Sequence, residues 1–313
     1  MSTDRDLAGV QRRLLLDGAA LEILGALRAA EIEALLLKGP TIEQDLYPPG
    51  SPRTYVDVDA LIDPAEVGRA GAVLEQAGFE LESSDDLIEP FAEPHASVWR
   101  RRDGVAVDLH WRIPFVGADP GAVWGRLSRE RDSIALGRSR VPTLARPARA
   151  LHLALHALQG GVQGGKSMVE LAYGIERLEP ELWREAALLA AELEASEALS
   201  VALRMSPDGA RLADRLGLAP ETATKWQLWV DRPSPQALRI EALASTSGAS
   251  AKLRALTSAL FPPSDYIRAL APAAREGRLG LAKAYAIRLG AAFRSGPKTA
   301  VAVFRARRSR RNR

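Results

Sequence analysis

The sequence contains no cysteine among its 313 residues. This absence excludes disulfide bridges, thiolate metal ligands and thiol nucleophiles, and it agrees with a reducing compartment. Histidine is scarce as well, with four residues in the whole chain, which leaves few nitrogen ligands for a zinc site. Catalytic or metal-binding chemistry in this protein must therefore use oxygen and nitrogen groups.

Long apolar runs are also missing. No run approaches the ~18 residues that a membrane-spanning helix needs, and the start MSTDRDLAGV lacks the basic-then-apolar order of a signal peptide. The chain is nevertheless 47% hydrophobic, enough for a core, and its length fits two domains of roughly 100–200 residues each. We therefore expect a soluble, globular, cytoplasmic protein without a transmembrane segment.

Acidic residues are absent after Glu276, where the chain carries eleven Lys or Arg. The preceding residues hold 31 basic against 39 acidic side chains, so a nucleic-acid partner of the main domains is not expected, because such partners need a basic face. Residues 297–313 read as a basic, disordered tail. We interpret this tail as a solvated segment, with contact to an anionic membrane, nucleic acid or acidic partner as the alternative.

The first half of the chain alternates helix and strand signals. Residues 1–30 show the apolar spacing of helices that pack beside the first strand. The run IEALLLKGP predicts a strand that ends in a tight turn at Lys38-Gly39-Pro40, followed by a helix. After a Pro-rich loop, RTYVDVDALI predicts a second strand, with Val56 and Val58 pointing into the core. Asp63 is the expected N-cap of the next helix.

A β-hairpin and a helical region complete the organisation. The stretch HASVWRRRDGVAVDLHWRI predicts a hairpin closed by Asp103-Gly104, with Asp108 and His110 on the face opposite an apolar row. After residue 146, Ala, Leu, Glu and Arg dominate, which predicts a domain of about five to seven helices. The expected class is α+β, with helices at 1–30, a mixed-sheet core at 31–146, a C-terminal all-helical domain at 147–296 and the tail.

Three aspartates form the candidate metal site. Asp57 and Asp59 are two positions apart on the predicted strand, so they share a face with Cα atoms about 6.6 Å apart. Asp108 on a neighbouring strand adds a third carboxylate, and oxygen ligands of this kind suit Mg²⁺, including pairs of ions that assist phosphoryl transfer. An exposed edge strand with solvated carboxylates is the alternative. His110 is either a partner of the acidic site or a packed side chain beside Trp111.

A phosphate chain also needs donors. Gly39 stands at the mouth of a strand, where backbone N–H groups and a helix N-terminus can face an anion. Lys38 and Arg53 add mobile positive charge. These three residues, together with His110, are the candidate residues for binding a phosphate-bearing cofactor.

The order of strand, glycine turn, helix, Asp-x-Asp strand and Asp-bearing hairpin resembles the polymerase β-like nucleotidyltransferase superfamily. One branch of this superfamily, the uncharacterised nucleotidyltransferase family 5, is more similar over most of residues 10–290. The resemblance rests on the sequence motifs LLLKGP, RTYVDVDALI, VAVDLHWRI, LHLALHAL and FPPSDYIRAL, in this order. The resemblance implies that Gly39 cradles phosphate, that Asp57 and Asp59 hold two Mg²⁺ ions, and that Asp108 holds the catalytic ion and orients or deprotonates the acceptor. The usual turn of the superfamily is Gly followed by Ser or Gly, whereas here it is Lys38-Gly39-Pro40.

The resemblance implies an enzyme that transfers a nucleotidyl group from an NTP, such as ATP, to a hydroxyl or phosphate of a small molecule or peptide, and releases pyrophosphate. The alternative is a catalytically divergent relative. Such a relative is either a nucleotide-binding protein or a transferase that uses a sugar nucleotide in the modification of a peptide natural product. The sequence names neither the nucleotide nor the acceptor.

Two further patterns have ordinary explanations. His152 and His156 lie one helical turn apart as zinc ligands can, but we interpret them as packed or capping residues because few other ligands exist. GGVQGGKS, residues 160–167, matches a phosphate-loop pattern, yet a helical stretch precedes it instead of a strand. We interpret it as a flexible interhelical loop whose Lys166 can still reach a bound nucleotide.

Overall fold

The computed structural model describes residues 2–48, 51, 53–84, 95–220, 224–231, 248–262, 264, 267–268 and 272–290. The predicted tail at 297–313 and its anionic partners lie outside these residues. The described chain forms two compact units. The first contains the described residues up to 219, apart from 83–84 and 160–163, which belong to the second unit with the residues from 220 onward.

The first unit is built on a seven-stranded sheet. Its strands are β1 (Ala34–Leu36), β2 (Val58–Ile62), β3 (Phe79–Ser84), β4 (Ala96–Arg101), β5 (Ala106–His110), β6 (Asp132–Leu136) and β7 (Ser139–Thr143). Their order is β3-β4-β5-β2-β1-β7-β6. Neighbours β1 and β2, β4 and β5, and β6 and β7 are antiparallel, whereas β2 and β5, and β1 and β7, are parallel. The predicted α+β class with a mixed sheet and flanking helices is confirmed.

Helices precede and separate these strands. They are α1 (Ser2–Ala29), α2 (Pro40–Leu46), α3 (Val67–Gln76) and α4 (Pro120–Arg129). The predicted N-terminal helical region is one helix, and Glu31, with φ of 59°, follows its end. The Asp63 carboxylate accepts a hydrogen bond from the Ala65 N–H at 2.8 Å, so the predicted N-cap is confirmed, although a short 3-10 turn precedes α3.

After β7 the described residues contain helices and no strand. In the first unit these are α5 (Arg146–Gly160, whose last residue belongs to the second unit), α6 (Lys166–Arg177), α7 (Pro180–Glu192), α8 (Ser196–Leu203) and α9 (Pro207–Arg215). The second unit contains α10 (Thr224–Asp231), α11 (Ala249–Leu260) and helical residues 277–290. The helical character predicted after residue 146 is confirmed, and the domain boundaries remain a prediction. In the described part of the chain, no helix combines the length and apolarity that crossing a membrane demands.

The main hydrophobic core joins α1 and α3 to one face of the sheet. It contains the apolar residues of β5, namely Val107 and Leu109, together with Val105 just before that strand. Because strand residues alternate between faces, Asp108 and His110 lie on the opposite face, as predicted. Gly104, with φ of 82°, closes the hairpin by donating to the Arg101 carbonyl at 2.9 Å. The loop therefore has three residues where two are predicted.

The alternation does not extend to the residues before β2. Val58 is buried as predicted, but Val56 is 68% exposed. Residues 53–57 form neither strand nor helix. The prediction for Val56 is wrong because the period of two applies only where the chain is a strand, and the strand begins two residues later.

Candidate active site and metal centre

The acidic site forms where two parallel strands meet on the sheet face away from the main core. The pairing of β2 with β5 places Asp59 opposite Asp108 and Leu61 opposite His110. Residues at the same level of adjacent strands point to the same face, so the two carboxylates meet. Thus the structure brings together Asp59 and Asp108, which the sequence analysis places on neighbouring strands.

His110 links the two carboxylates. Its Nε2 lies 3.3 Å from Asp59 Oδ1 and 3.1 Å from Asp108 Oδ2. Asp59 and His110 are each 4% exposed, and Asp108 is partly buried. Burial alone would lower the pKa of His110, but the charge of Asp108 and the hydrogen bonds to both carboxylates raise it to about 9. The imidazole is therefore charged at neutral pH and holds the two carboxylates together.

Lys38 compensates the more deeply buried carboxylate. Its Nζ lies 2.6 Å from Asp59 Oδ1, and the adjacent Leu37 N–H donates to the Asp59 carbonyl at 3.0 Å. Burial alone would raise the pKa of Asp59, but the charges and hydrogen bonds of Lys38 and His110 lower it well below its usual range. Burial would likewise lower the pKa of Lys38, and the Asp59 charge raises it instead. Asp59 is thus ionised and paired.

The site offers ligand atoms for a cation. Among the described residues, Asp59, Asp108 and His110 each present one ligand atom, and these atoms lie within 4.8 Å of one another. Two buried atoms of this group, Asp108 Oδ1 and His110 Nδ1, have no hydrogen-bond partner within the described part of the chain. A buried carboxylate oxygen without a partner is costly and suits a metal ligand. The donor set therefore fits a hard divalent cation through its carboxylates.

Asp57 lies at the margin of this group. It precedes β2, is partly buried, and is outside the group of three ligand residues. Burial raises the pKa of Asp57 to about 6, with further upward contributions from the charges of Asp59 and Asp108 and a downward one from Lys38. Asp57 is therefore close enough to interact electrostatically with the site, and its role as a metal ligand stays a prediction.

The predicted glycine turn is present beside the carboxylates. Gly39 has φ of 65° and ψ of −114°, a conformation that residues with a Cβ rarely adopt, and it directly precedes α2. The Tyr55 ring packs against it, 3.4 Å from where a Cβ would stand. Pro40 occupies the first helical position, where its missing N–H costs nothing. The turn thus requires glycine, and its contact with phosphate stays a prediction.

Arg53 has a different environment from the predicted one. Its Nε and Nη2 donate to the two carboxylate oxygens of Glu170 in α6 at 2.6 Å and 3.0 Å. Arg53 is 7% exposed and Glu170 is fully buried, so Arg53 is not the mobile charge that the sequence analysis predicts. Its assignment to nucleotide binding stays a prediction.

Glu170 and its partner Tyr47 are not predicted from the sequence. Tyr47 Oη donates to Glu170 Oε1 at 3.2 Å, and Lys166 Nζ donates to the Thr54 carbonyl. Glu170 is one of many acidic residues on the predicted helices, and nothing in the sequence distinguishes it. Its partner Arg53 lies 117 positions away, so only the fold brings them together.

The two patterns with ordinary explanations lie on or between helices. His152 and His156 lie in α5 with ring centroids 6.4 Å apart. Burial lowers the pKa of both, for His156 to about 4, so both are neutral at pH 7. In GGVQGGKS, Gly160 ends α5, residues 161–163 form a 3-10 turn and Lys166 begins α6, so a helix and not a strand precedes the pattern. The interhelical position is therefore confirmed, and the flexibility of this loop stays a prediction.

Comparison with known proteins identifies the family. The family model described as uncharacterised nucleotidyltransferase matches residues 4–208, more than half of the chain. The chain belongs to this uncharacterised nucleotidyltransferase family, and the predicted resemblance and enzyme class are confirmed. A search of curated proteins finds no match to this sequence.

Solved structures of similar proteins are distant. The antibiotic-resistance factor ANT(2'')-Ia is 14% identical, with TM-score 0.40, over 59% of this chain and 94% of its own. The lincosamide antibiotic adenylyltransferase LnuA, bound to lincomycin, is 15% identical, with TM-score 0.31, over 42% and 81%. An antigenic nucleotidyltransferase-like protein from Paracoccidioides brasiliensis is 16% identical, with TM-score 0.33, over 62% and 92%. These likenesses are too remote to carry a functional argument.

Proposed function

We propose that this chain transfers a nucleotidyl group from an NTP, with Mg²⁺ as cofactor, to a hydroxyl or phosphate of a small molecule or peptide. One observation carries the proposal within the nucleotidyltransferase family. Asp59 and Asp108 converge from parallel strands, with a buried, unpartnered carboxylate oxygen on Asp108, at a site joined to the Gly39 turn through Lys38. This arrangement combines oxygen ligands for a cation with a turn suited to phosphate.

Carboxylates are the proposed metal ligands. Asp57 and Asp59 would hold both cations, Asp108 would complete the site of the catalytic one, and His110 would keep Asp59 and Asp108 oriented through its hydrogen bonds. Because His110 Nε2 faces both Asp59 Oδ1 and Asp108 Oδ2, the imidazole acts as a hydrogen-bond donor to the carboxylates, which supply the ligand atoms. When bound, Mg²⁺ would neutralise charge on the phosphates and on the leaving pyrophosphate.

Lys38 has two roles in this proposal. Its ammonium lies against Asp59 and neutralises it. Beside a bound divalent cation, Lys38 would be available to a phosphate oxygen, next to the backbone N–H groups of the turn at Gly39. The lysine would therefore serve both as the counter-charge of Asp59 and as a phosphate contact.

The proposed reaction forms one bond and breaks one. The acceptor oxygen attacks the α-phosphorus of the NTP, the bond from that phosphorus to the bridging oxygen breaks, and pyrophosphate leaves. Asp108 orients the acceptor hydroxyl and takes its proton, which then passes to water. Catalysis rests on positioning and charge neutralisation, with no covalent intermediate on the protein.

Binding and turnover measurements test this function. Calorimetry with ATP and the other NTPs, with and without Mg²⁺, should show metal-dependent binding in the wild type and its loss in Asp59→Asn. Asp63→Asn is the control, because the Asp63 side chain caps the 3-10 turn at Pro64–Glu66 and is not one of the proposed ligands. Metal-dependent binding that persists unchanged in Asp59→Asn would refute the proposed metal site.

A second candidate function is favoured by one contact. Because Lys38 already compensates Asp59, the chain could hold a nucleotide without a metal, as a binding protein or as a transferase that uses a sugar nucleotide in the modification of a peptide natural product. Pyrophosphate release separates the candidates. Release with an acceptor supports nucleotidyl transfer, whereas metal-independent NTP binding without release supports a binding protein, and sugar transfer from a sugar nucleotide supports the third possibility.

A further inference from the structure

The segment of residues 53–57 delivers Asp57 to the candidate site without belonging to any helix or strand. A strand residue is positioned by its ladder of hydrogen bonds, but Asp57 lies just outside β2 and lacks that support. Its distance from Asp59 and Asp108 therefore depends on whatever anchors the preceding four residues. Those anchors decide whether Asp57 can act together with the other two carboxylates.

Each of these four residues is anchored by a side chain from a distant helix. Arg53 pairs with Glu170, and the Thr54 carbonyl accepts from Lys166, both in α6. From α1, the Asp17 carboxylate accepts from the Tyr55 hydroxyl, and Arg12 Nη2 donates to the Val56 carbonyl at 3.0 Å. The segment is thus held between the first helix and α6.

The pair between Arg53 and Glu170 is the most constraining of these anchors. It is bidentate, at 2.6 Å and 3.0 Å, and both side chains are buried. Two parallel charge-assisted hydrogen bonds fix the orientation of the guanidinium as well as its distance. Tyr47 Oη donates to the same Glu170 oxygen at 3.2 Å, so the carboxylate itself is also fixed.

We propose that Glu170 is a positioning residue that, through Arg53, holds residues 53–57 so that Asp57 joins Asp59 in binding the nucleotide-bound cation. This inference rests on the proposed function. Arg53 is committed to Glu170, so it acts on the site through the backbone and makes no direct phosphate contact. Glu170, in helix α6, thereby sets the geometry of the Asp-x-Asp motif.

Mn²⁺ affinity is the direct readout, since Mn²⁺ takes oxygen ligands and is detected by electron paramagnetic resonance. It is measured in the presence of a non-hydrolysable ATP analogue, alongside thermal unfolding. Glu170→Gln should weaken Mn²⁺ binding by about tenfold or more, the usual effect of losing a residue that orients a metal ligand. Unchanged Mn²⁺ affinity in folded Glu170→Gln would overturn the proposal.

The chain offers a matched control in a second arginine–carboxylate pair. Arg149 of α5 donates to both oxygens of Asp45 at the end of α2, at 2.7 Å and 3.1 Å. This pair also joins a late helix to the sheet region, but it does not touch residues 53–57. Asp45→Asn should lower the unfolding temperature without weakening Mn²⁺ binding. An equal loss of Mn²⁺ affinity in Asp45→Asn and Glu170→Gln would show a general structural effect and overturn the positioning role.

A double-mutant cycle tests the proposed route through Asp57. In an Asp57→Asn background, Glu170→Gln should cause no further loss of Mn²⁺ affinity, because the ligand that Glu170 positions is already gone. Fully additive losses would overturn the proposal. Asp59→Asn separates this result from the proposed function: weak binding in Asp59→Asn with wild-type binding in Glu170→Gln refutes only the positioning role, whereas equal Mn²⁺ affinity in wild type and Asp59→Asn refutes the metal site itself.

A second variant keeps the test decisive if Glu170→Gln does not fold. The double substitution Arg53→Met with Glu170→Met leaves no unpaired buried charge, and apolar replacement of a buried ion pair is often tolerated. This variant should fold and still bind Mn²⁺ about tenfold or more weakly than the wild type. Wild-type Mn²⁺ affinity in the folded double variant would overturn the proposal.

Discussion

Replacing Lys38 by methionine tests the charge balance of the site most directly. The ammonium lies 2.6 Å from Asp59 Oδ1, and the Asp59 side chain is 4% exposed. Methionine preserves most of the volume of lysine and removes the charge. Of the residues that the structure describes, Asp59 then keeps only His110, at 3.3 Å, as a charged partner.

The expected magnitude follows from the burial of this pair. Removing one partner of a buried ion pair costs about 3–5 kcal/mol, because the other charge is left uncompensated. His110 partly compensates Asp59, so we expect the lower end, about 3 kcal/mol. For a unit of about 150–250 residues each kcal/mol shifts the unfolding temperature by about 2–4 °C, which gives a decrease of roughly 6–12 °C.

Divalent cations should partly reverse this loss. In Lys38→Met no ammonium competes for Asp59, so Mg²⁺ should bind the nucleotide-free variant more tightly than the wild type and stabilise it more. At a concentration of 100 times Kd a ligand contributes about 2.7 kcal/mol to stability. Thermal unfolding followed by circular dichroism, with EDTA and with Mg²⁺, measures both effects.

Lys252→Met is the control for the loss of a surface lysine. Lys252 is exposed on α11, so its loss should cost less than about 1 kcal/mol. If Lys38→Met were as stable as Lys252→Met, and Mg²⁺ stabilised both variants equally, the assignment of Lys38 as the counter-charge of Asp59 would be wrong.

Three further predictions concern chemistry, the turn and acid stability. Asp108→Asn should change NTP affinity by less than about tenfold, or ~1.4 kcal/mol, while pyrophosphate release falls by orders of magnitude; equal losses in both assays would contradict its role toward the acceptor. Gly39→Ala should lower the free energy of unfolding in urea by about 1–3 kcal/mol, because φ of 65° with ψ of −114° strains any residue with a Cβ; wild-type stability would contradict this reading of the turn. The pKa of His156 is lowered to about 4, so its contribution to stability is complete above the unfolded pKa of about 6.5 and is lost as pH falls toward 4. Between pH 6.5 and pH 4, the slope of the unfolding free energy against pH should therefore correspond to about one bound proton fewer in His156→Leu than in the wild type. Urea titrations at several pH values measure this slope, and an unchanged slope would contradict the assignment of His156 as neutral and buried.

Errors in the sequence interpretation arose where a local pattern was extended past its element. The predicted burial is correct for Val58, which lies in β2, and wrong for Val56, which is 68% exposed. Asp57 shares this difficulty, because it too precedes the strand and stays outside the group formed by Asp59, Asp108 and His110. A period of two predicts facing only for residues that are hydrogen-bonded into the sheet.

Features that depend on a few neighbouring residues were predictable from the sequence by itself. The N-cap at Asp63, the hairpin turn at Gly104, the tight turn at Gly39 and the two faces of β5 follow from backbone sterics and hydrogen bonds within about four positions. The helical character of the chain after residue 146 follows in the same way from composition and spacing. Family membership could also be inferred, because the order of motifs is itself a property of the sequence.

Only the tertiary structure decided which charges compensate one another. Asp59 meets Asp108 because β2 pairs with β5 in parallel, and Lys38 reaches Asp59 because β1 lies on the other side of β2. Arg53 finds Glu170 across 117 positions. A buried charge requires a partner, but the requirement can be met by any opposite charge that the fold brings within reach. The choice among the 42 basic and 39 acidic residues therefore depends on the path of the chain, which no local pattern contains.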